Sequence, residues 1–225
     1  MTIKNIIFDL GGVLINIDQK RMIDSFKKLG AINFLTPEAK RLVNEYGVGK
    51  ITTAAFREQL IAELDIEISE TEFKEAWNSE LGDIPKEKLE FLQQLREANY
   101  KLYLFSNTNE MHYEEIHDIC RRDHGVEGLN DYFDKQYFSH QIKRAKPEVA
   151  AFQAILKENN LLAEETVFID DIPSNIEGAK LAGLHTIHFI PGTNILTILD
   201  RIEEINELPL ETEEAEEARK SLSFA

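Results

Sequence analysis

Along the chain, apolar residues gather into short unbroken runs, and three of these end in polar residues: IIFD at 6–9, KLYLFSNT at 101–108 and TVFIDD at 166–171. A run without polar alternation suits a strand covered on both faces, as in a parallel sheet whose crossovers are helices. HTIHFI at 185–190 adds a fourth strand-like stretch. Between the runs the period changes to that of a helix. In PKEKLEFLQQLREAN at 85–99, Leu89, Leu92 and Leu95 recur on one face behind Pro85, and PEVAAFQAILKEN at 147–159 reads the same way. Strand and helix alternate, which predicts an α/β fold with a Rossmann-like parallel sheet.

The alternation fails between Asp18 and Gly82. RMIDSFKKLG, TPEAKRLVNEYGVG, TTAAFREQLIAEL and SETEFKEAWNSEL read as four helices with no convincing strand among them. Three of the helix starts carry capping residues: Thr36 ahead of Pro37, Thr52 ahead of TAAF, and Ser69 followed three residues later by Glu72. Phe73 and Trp77, at helical spacing, are expected in the core of this bundle. The predicted organisation is a Rossmann-like core of residues 1–17 and 83–225, interrupted by a helical insertion of residues 18–82. The acidic tail LETEEAEEARKSLSFA has helix-forming composition but no assigned role.

The chain has 225 residues and a formal net charge of -16 at pH 7. A field of that sign repels nucleic acid and anionic membrane, so neither is an expected partner. No apolar run approaches the ~20 residues of a membrane span. Met1 leads directly into a strand, and Cys120 is the single cysteine, which excludes an internal disulfide; cytoplasmic residence is the default expectation.

Open parallel sheets place ligands at the carboxyl ends of their strands, so the polar residues that end the runs should converge. They are Asp9, then Ser106 and Asn107, then Asp170 and Asp171. Carboxylates so assembled repel one another unless a cation sits among them, and an oxygen-only donor set suits magnesium. Asp9 runs into Gly11 and Gly12, which permit a tight turn and close approach of backbone amides to an anion. Lys146, just before Pro147, offers an ammonium group beside a helix start. Together these residues have the makings of a site for phosphoryl transfer.

With these motifs the chain resembles the haloacid dehalogenase superfamily, over nearly its whole length, and within it the phosphatases with a helical cap inserted after the first motif. FDLGGVL at 8–14 resembles motif one, LFSNTN at 104–109 motif two, KRAKPE at 143–148 motif three, and FIDDIPSNIEGAKLAG at 168–183 motif four. Sugar-phosphate phosphatases and the phosphatase domain of soluble epoxide hydrolases are similar at the same motifs. The resemblance implies a magnesium-dependent hydrolase of a small phosphorylated metabolite. Asp9 would be the nucleophile, forming an aspartyl-phosphate, and Ser106 and Lys146 would hold the transferring group. The Leu10 and Gly11 amides and Asn107 would add substrate contacts; Asp9, the Gly11 carbonyl, Asp170 and Asp171 would serve the metal. Asn175 and Gly178 would shape the loop and helix after motif four, and the cap, with its turn at 45–52, would close over the site.

One position departs from the family pattern. The usual motif has a second acid two residues after the nucleophile, and here Gly11 stands there. That acid protonates the leaving alkoxide and later activates water, a role worth roughly 10²–10⁴ in rate. Three readings follow: a substrate with a good leaving group, which is favoured; a polar group supplied by the cap; or a slow enzyme. Plainer roles stand beside the catalytic ones. Ser106, Asn107, Asp170 and Asp171 could cap helices, Lys146 could be a solvated neighbour of Lys143 and Arg144, and Asp18 is equally well a cap. His112, His117, His124, His185 and His188 show no metal-ligand spacing and read as solvated or satisfied. The rival functions are a dehalogenase, a phosphomutase and a non-catalytic binding module.

Overall fold

In the computed structural model, which describes residues 2–207, the unbroken apolar runs are the strands of one parallel sheet. β1 (Asn5–Phe8), β2 (Lys101–Ser106), β3 (Lys135–Phe138), β4 (Thr166–Asp170) and β5 (His185–His188) lie in the order β3-β2-β1-β4-β5. β1 pairs with β2 on one side and β4 on the other, with Phe8 opposite both Leu104 and Ile169. That register brings Asp9, Ser106 and Asp170 to the same edge of the sheet. The strand order reverses between β1 and β4, and in open α/β sheets a crevice forms at such a point.

Helices cover both faces, which is why the strands read as continuous apolar runs. On one face Ile6, Phe8, Leu104 and Ile169 pack against Leu89, Leu92 and Leu95 of α5 (Lys86–Glu97) and against Ile198 and Ile202 of α10 (Thr197–Glu207). On the other, Ile7, Phe105 and Phe168 meet Phe152 and Ile155 of α8 (Val149–Asn159) and Ile176 and Ala179 of α9 (Pro173–Leu181). Alternate residues of each strand thus serve opposite layers.

α1 (Gln19–Lys28), α2 (Pro37–Gly47), α3 (Thr53–Leu64) and α4 (Glu70–Asn78) fall between β1 and α5 and pack around an apolar cluster of their own. Phe73 and Trp77 are in it, as expected. Tyr46 and Phe56 stack at 4.3 Å, and Phe56 meets Trp77 at 4.8 Å. Such ring pairs add about 0.5–1.5 kcal/mol beyond their burial. Each start is capped by the residue its sequence offered: Asp18, Thr36, Thr52, and Ser69 in a full capping box with Glu72. The chain enters and leaves this bundle through two segments that run side by side. Asp18 N–H donates to the Glu80 carbonyl at 2.8 Å, Gly82 N–H to Asn16 at 2.7 Å, and Asn16 N–H to Asp83 at 3.0 Å. Arg21 of α1 braces the returning segment by donating to the Ser79 and Leu81 carbonyls.

Two features differ from the sequence expectation. β3 was not foreseen: KQYF is a short edge strand whose first two residues are partly or fully exposed, so it lacks the apolar run of its neighbours. It is followed by α7 (Ser139–Ile142), and preceded by α6 (Glu110–Ile119), whose end widens into a π-turn over Cys120–His124 that buries the free Cys120. The α8 helix begins at Val149, two residues beyond Pro147. The acidic tail lies outside the described residues.

Candidate active site

The switch point between β1 and β4 gathers the charged residues that the strand ends carry. Lys146 Nζ lies 2.6 Å from Asp9 Oδ1 and 2.7 Å from Asp170 Oδ2, with its side chain 1% exposed. The ammonium also stands over the rings of Phe105 and Phe168, at 5.5 and 5.3 Å. A solvated role for Lys146 is therefore excluded. Its backbone is clamped as well. The Asn107 side chain donates to the Lys146 carbonyl at 2.8 Å and accepts from the Lys146 N–H at 2.9 Å. Asn107 thus fixes the loop that delivers the lysine, while lining the same cavity.

Asp170 is fully buried at the end of β4. It accepts from the Ile172 N–H at 2.7 Å and from Asn175 Nδ2 at 3.0 and 3.1 Å, so Asn175 orients the carboxylate that Lys146 touches. Ser106 is buried, and its hydroxyl has no hydrogen-bond partner among the described residues. Neither Ser106 nor Asp170 is a side-chain cap; α6 is capped by Asn109, and α9 starts without a side-chain cap bond.

Two glycines allow the loops to close. Gly12 has φ +72°, and a Cβ there would fall 2.3 Å from Asp171 Oδ2. A Cβ on Gly178 would fall 2.3 Å from the Pro147 carbonyl, so α9 can lie against the Lys146 loop only without a side chain at this position. Gly11, by contrast, is at ordinary φ with Ile17 at 3.3 Å from where its Cβ would stand.

One oxygen each from Asp9, Asp170 and Asp171 lies within 4.8 Å of the others. Burial, opposed by Lys146 and reinforced by Asp170, pushes the Asp9 carboxyl up to about 7, and burial with Asp170 also raises Asp171. Three carboxylates thus share a single ammonium group and are under-neutralised. An oxygen-only donor set with excess negative charge, open to a cavity, fits magnesium.

The site opens into two adjoining cavities. The smaller, of about 340 Å³, is bounded by Asp9, Gly11, Ser106, Lys146 and Asp171. The larger, of about 710 Å³, lies between the helical bundle and the sheet and is lined by Gln19, Asn44, Lys40 and Trp77, together with Gly47, Val48 and Lys50 from the turn at 45–52. That turn is anchored on the α7 region, where Ser139 Oγ donates to the Gly47 carbonyl at 2.6 Å and Lys143 Nζ to the Gly49 carbonyl at 2.6 Å. Two residues at the junction, Glu80 and His112, were not among those singled out for chemistry. Glu80 belongs to the run SETEFKEAWNSEL expected as helix, but α4 ends at Asn78 and leaves it in the returning segment; His112 is expected only as a satisfied or solvated histidine. It is satisfied: its Nε2 is 3.2 Å from the Trp77 carbonyl, and its ring stacks on Trp77 at 5.2 Å.

Comparison with known proteins gives the same answer as the geometry. Residues 3–183 match the model of the haloacid dehalogenase-like hydrolases. A D-ribitol-5-phosphate phosphatase of Bacteroides thetaiotaomicron is 35% identical over 190 residues, covering 82% of this chain and 90% of the relative. The crystal structure of a haloacid-dehalogenase-family enzyme from the same organism, in complex with magnesium, superposes with a TM-score of 0.83 at 36% identity over 88% of this chain and 99% of that one. The complex of the latter with magnesium and inorganic phosphate gives a TM-score of 0.75 at 36% identity, over 85% and 96%. The chain belongs to the haloacid dehalogenase-like hydrolases, and within them it is a magnesium-dependent phosphatase. Among the described residues no helix is long and apolar enough to cross a membrane.

Proposed function

We propose that the chain hydrolyses the phosphate monoester of a small sugar or sugar alcohol, with Asp9 as nucleophile and residues 18–82 as the cap that selects the substrate. The observation that carries this reading is the pair of cavities. The small one holds a carboxylate, an ammonium and a hydroxyl with no partner among the described residues, and the large one sets the amides of Gln19 and Asn44, Lys40 and Lys50 and the Trp77 indole among apolar side chains such as Met22 and Phe34, a lining that can hold the hydroxyls and the carbon face of a sugar or polyol.

In this reading an Asp9 oxygen attacks phosphorus in line, forming an aspartyl-phosphate that water then hydrolyses, which divides one hard displacement into two easier ones. Lys146 neutralises charge between the nucleophile and the transferring group. The Ser106 hydroxyl donates to a phosphoryl oxygen, joined by the Leu10 and Gly11 amides, and Asn107 keeps Lys146 in place. Asp9, Asp170, Asp171 and the Gly11 carbonyl would hold magnesium, which would supply positive charge to the site and favour the ionised form of Asp9.

The named substrate of the Bacteroides relative bears on Gly11. Ribitol 5-phosphate is a primary alkyl ester with a poor leaving group. If this chain takes such a substrate, a good leaving group no longer explains the missing acid, and a polar group from the cap becomes the stronger of the readings.

The test is phosphate release from a panel of polyol, sugar, aryl and nucleotide phosphates, with magnesium or with chelator, beside Asp9→Asn. Release from polyol and sugar phosphates that is lost with chelator and in Asp9→Asn supports the reading. Turnover surviving either change contradicts it, and release from nucleotides alone overturns the substrate class.

A further inference from the structure

We infer that Glu80, beside His112, is the acid and base of this site, giving its proton to the leaving alkoxide and then taking one from the attacking water. The inference rests on the phosphatase reading above, and it begins from where the ester oxygen must lie. With the phosphoryl group beside Asp9 and the organic body under the helical bundle, the bridging oxygen passes the junction of the two cavities. Six residues line both: Gln19, Glu80, Asn107, Thr108, His112 and Lys146. Lys146 is committed to two carboxylates, and the Asn107 amide to the Lys146 backbone. Glu80 is the carboxyl group in this set.

The hydrogen-bond network fixes which atom carries the proton. Asn109 Oδ1 accepts from Trp77 Nε1 at 3.2 Å and from the His112 N–H at 3.1 Å, so its Nδ2 is the atom turned to His112 Nδ1, at 3.1 Å. Nδ2 only donates, so Nδ1 is bare, and the ring proton sits on Nε2, donated to the Trp77 carbonyl. Glu80 Oε1 lies 3.3 Å from that bare nitrogen. The one lone pair of Nδ1 already accepts from Asn109 Nδ2, and an ionised carboxylate beside it would add repulsion between lone pairs, so the neutral acid is the form of Glu80 that suits this position.

Burial favours the neutral form of both groups. It pushes the Glu80 carboxyl up to about 7 and holds the His112 imidazole down at about 4, so near neutrality the pair is an acid beside a neutral ring. The other charged groups that share a cavity with Glu80 are Lys146, Asp9 and Asp171 in the smaller and Lys40, Glu45, Lys50 and Glu148 in the larger, while Arg21 of α1 is bound to the backbone on either side of it. Glu80 also belongs to the segment paired with residues 16–18, next to Ile17, whose side chain packs on Gly11. The carboxyl thus reaches the site from the cap side of the position where the family's acid is absent.

The proton balance closes. As Asp9 attacks and the bond from phosphorus to the ester oxygen breaks, the Glu80 proton moves to that oxygen, releasing the alcohol and leaving Glu80 ionised. Glu80 then takes a proton from water as its oxygen attacks the phosphorus of the aspartyl-phosphate. The bond from phosphorus to Asp9 breaks, phosphate departs, and the acid is restored.

The experiment compares kcat/KM for ribitol 5-phosphate and p-nitrophenyl phosphate in the wild type, Glu80→Gln and Glu80→Asp, over pH 5–9 with saturating magnesium. Because kcat/KM ends at the first irreversible step, it reads the acid half alone. In Glu80→Gln the alkyl ester is expected to lose roughly 10²–10⁴ and the aryl ester at least about tenfold less, since nitrophenolate leaves unprotonated. The wild-type alkyl profile should fall above pH about 7, and that limb should vanish in Glu80→Gln. Glu80→Asp should restore part of the difference. Equal losses on both esters, or a limb that persists, overturn the inference. If Glu80→Gln fails to fold, the decision passes to Glu80→Asp: an unchanged alkyl-to-aryl ratio there overturns it. A wild type inactive on both esters overturns the phosphatase reading instead.

Discussion

Replacing Lys146 by Met keeps the unbranched apolar stem out to the ε carbon and removes the cation that touches both Asp9 and Asp170. The stability cost can be worked from the site. Both contacts are buried, and deleting one partner of a buried ion pair costs about 3–5 kcal/mol because a charge is left uncompensated. The carboxyls can escape part of that cost by taking up protons. Asp9 already rises to about 7 with the lysine beside it, and without it must rise further. The unfolded chain releases the same proton near 4, so stability is kept below that pH and lost as pH climbs through the raised folded value. The difference from wild type should be small at pH 5 and reach about 3–5 kcal/mol at pH 8 in chelator. Magnesium should return part of it, by about 2.7 kcal/mol at a hundredfold excess over Kd. Urea unfolding followed by far-ultraviolet circular dichroism measures all three. A loss below about 1 kcal/mol at pH 8, or one that does not change with pH, would show that Lys146 does not balance these carboxylates.

Other expectations are narrower. Gly12→Ala forces a side chain at φ +72° into Asp171 Oδ2, so magnesium should bind more weakly by calorimetry while the fold survives; unchanged affinity would remove Asp171 from the metal site. Gly178→Ala drives a methyl into the Pro147 carbonyl and should cost about 1–3 kcal/mol in urea, with kcat falling because the Lys146 loop moves; a variant as stable and active as wild type would contradict the contact. Glu80→Gln should change how stability varies with pH. A carboxyl raised from 4.5 to about 7 stabilises the fold below pH 4.5 and loses that contribution as pH rises to 7, a span worth roughly 3 kcal/mol at most. Wild type should therefore lose stability relative to Glu80→Gln across that window. His112 titrates with the opposite sign, its contribution lost as pH falls from 6.5 to about 4, and the same term in both proteins cancels in first approximation.

The strands β1, β2 and β4 were legible because burial on both faces writes an unbroken apolar run, the edge strand β5 because Ile187 and Phe189 mark a β-rich stretch, and the helix starts because their capping residues make local bonds. The convergence of Asp9, Ser106 and Asp170 was legible for a related reason, that parallel strands deliver their last residues to a common edge; Lys146 comes instead from the loop after α7 and was marked by its place before Pro147. β3 was not, since an edge strand of four residues with an exposed end carries no such run. Glu80 and His112 were missed because nothing local marks them. Glu80 falls in the run 69–81 read as a helix but lies past the end of α4, and His112 acquires its neutral tautomer only when Asn109 beside it meets Trp77 and Glu80 from a second stretch of chain. The Gly11 departure was visible, but what stands in for it is a property of the folded junction.

Covalent attack by Asp9 is the claim on which everything else depends. Enzyme mixed with excess ribitol 5-phosphate and magnesium, quenched in acid within a turnover and digested, should yield one peptide carrying an added phosphoryl group. Fragmentation should locate that group on Asp9, and Asp9→Asn should yield no such peptide. A phosphoryl group mapped elsewhere, or full turnover by Asp9→Asn, would contradict the account.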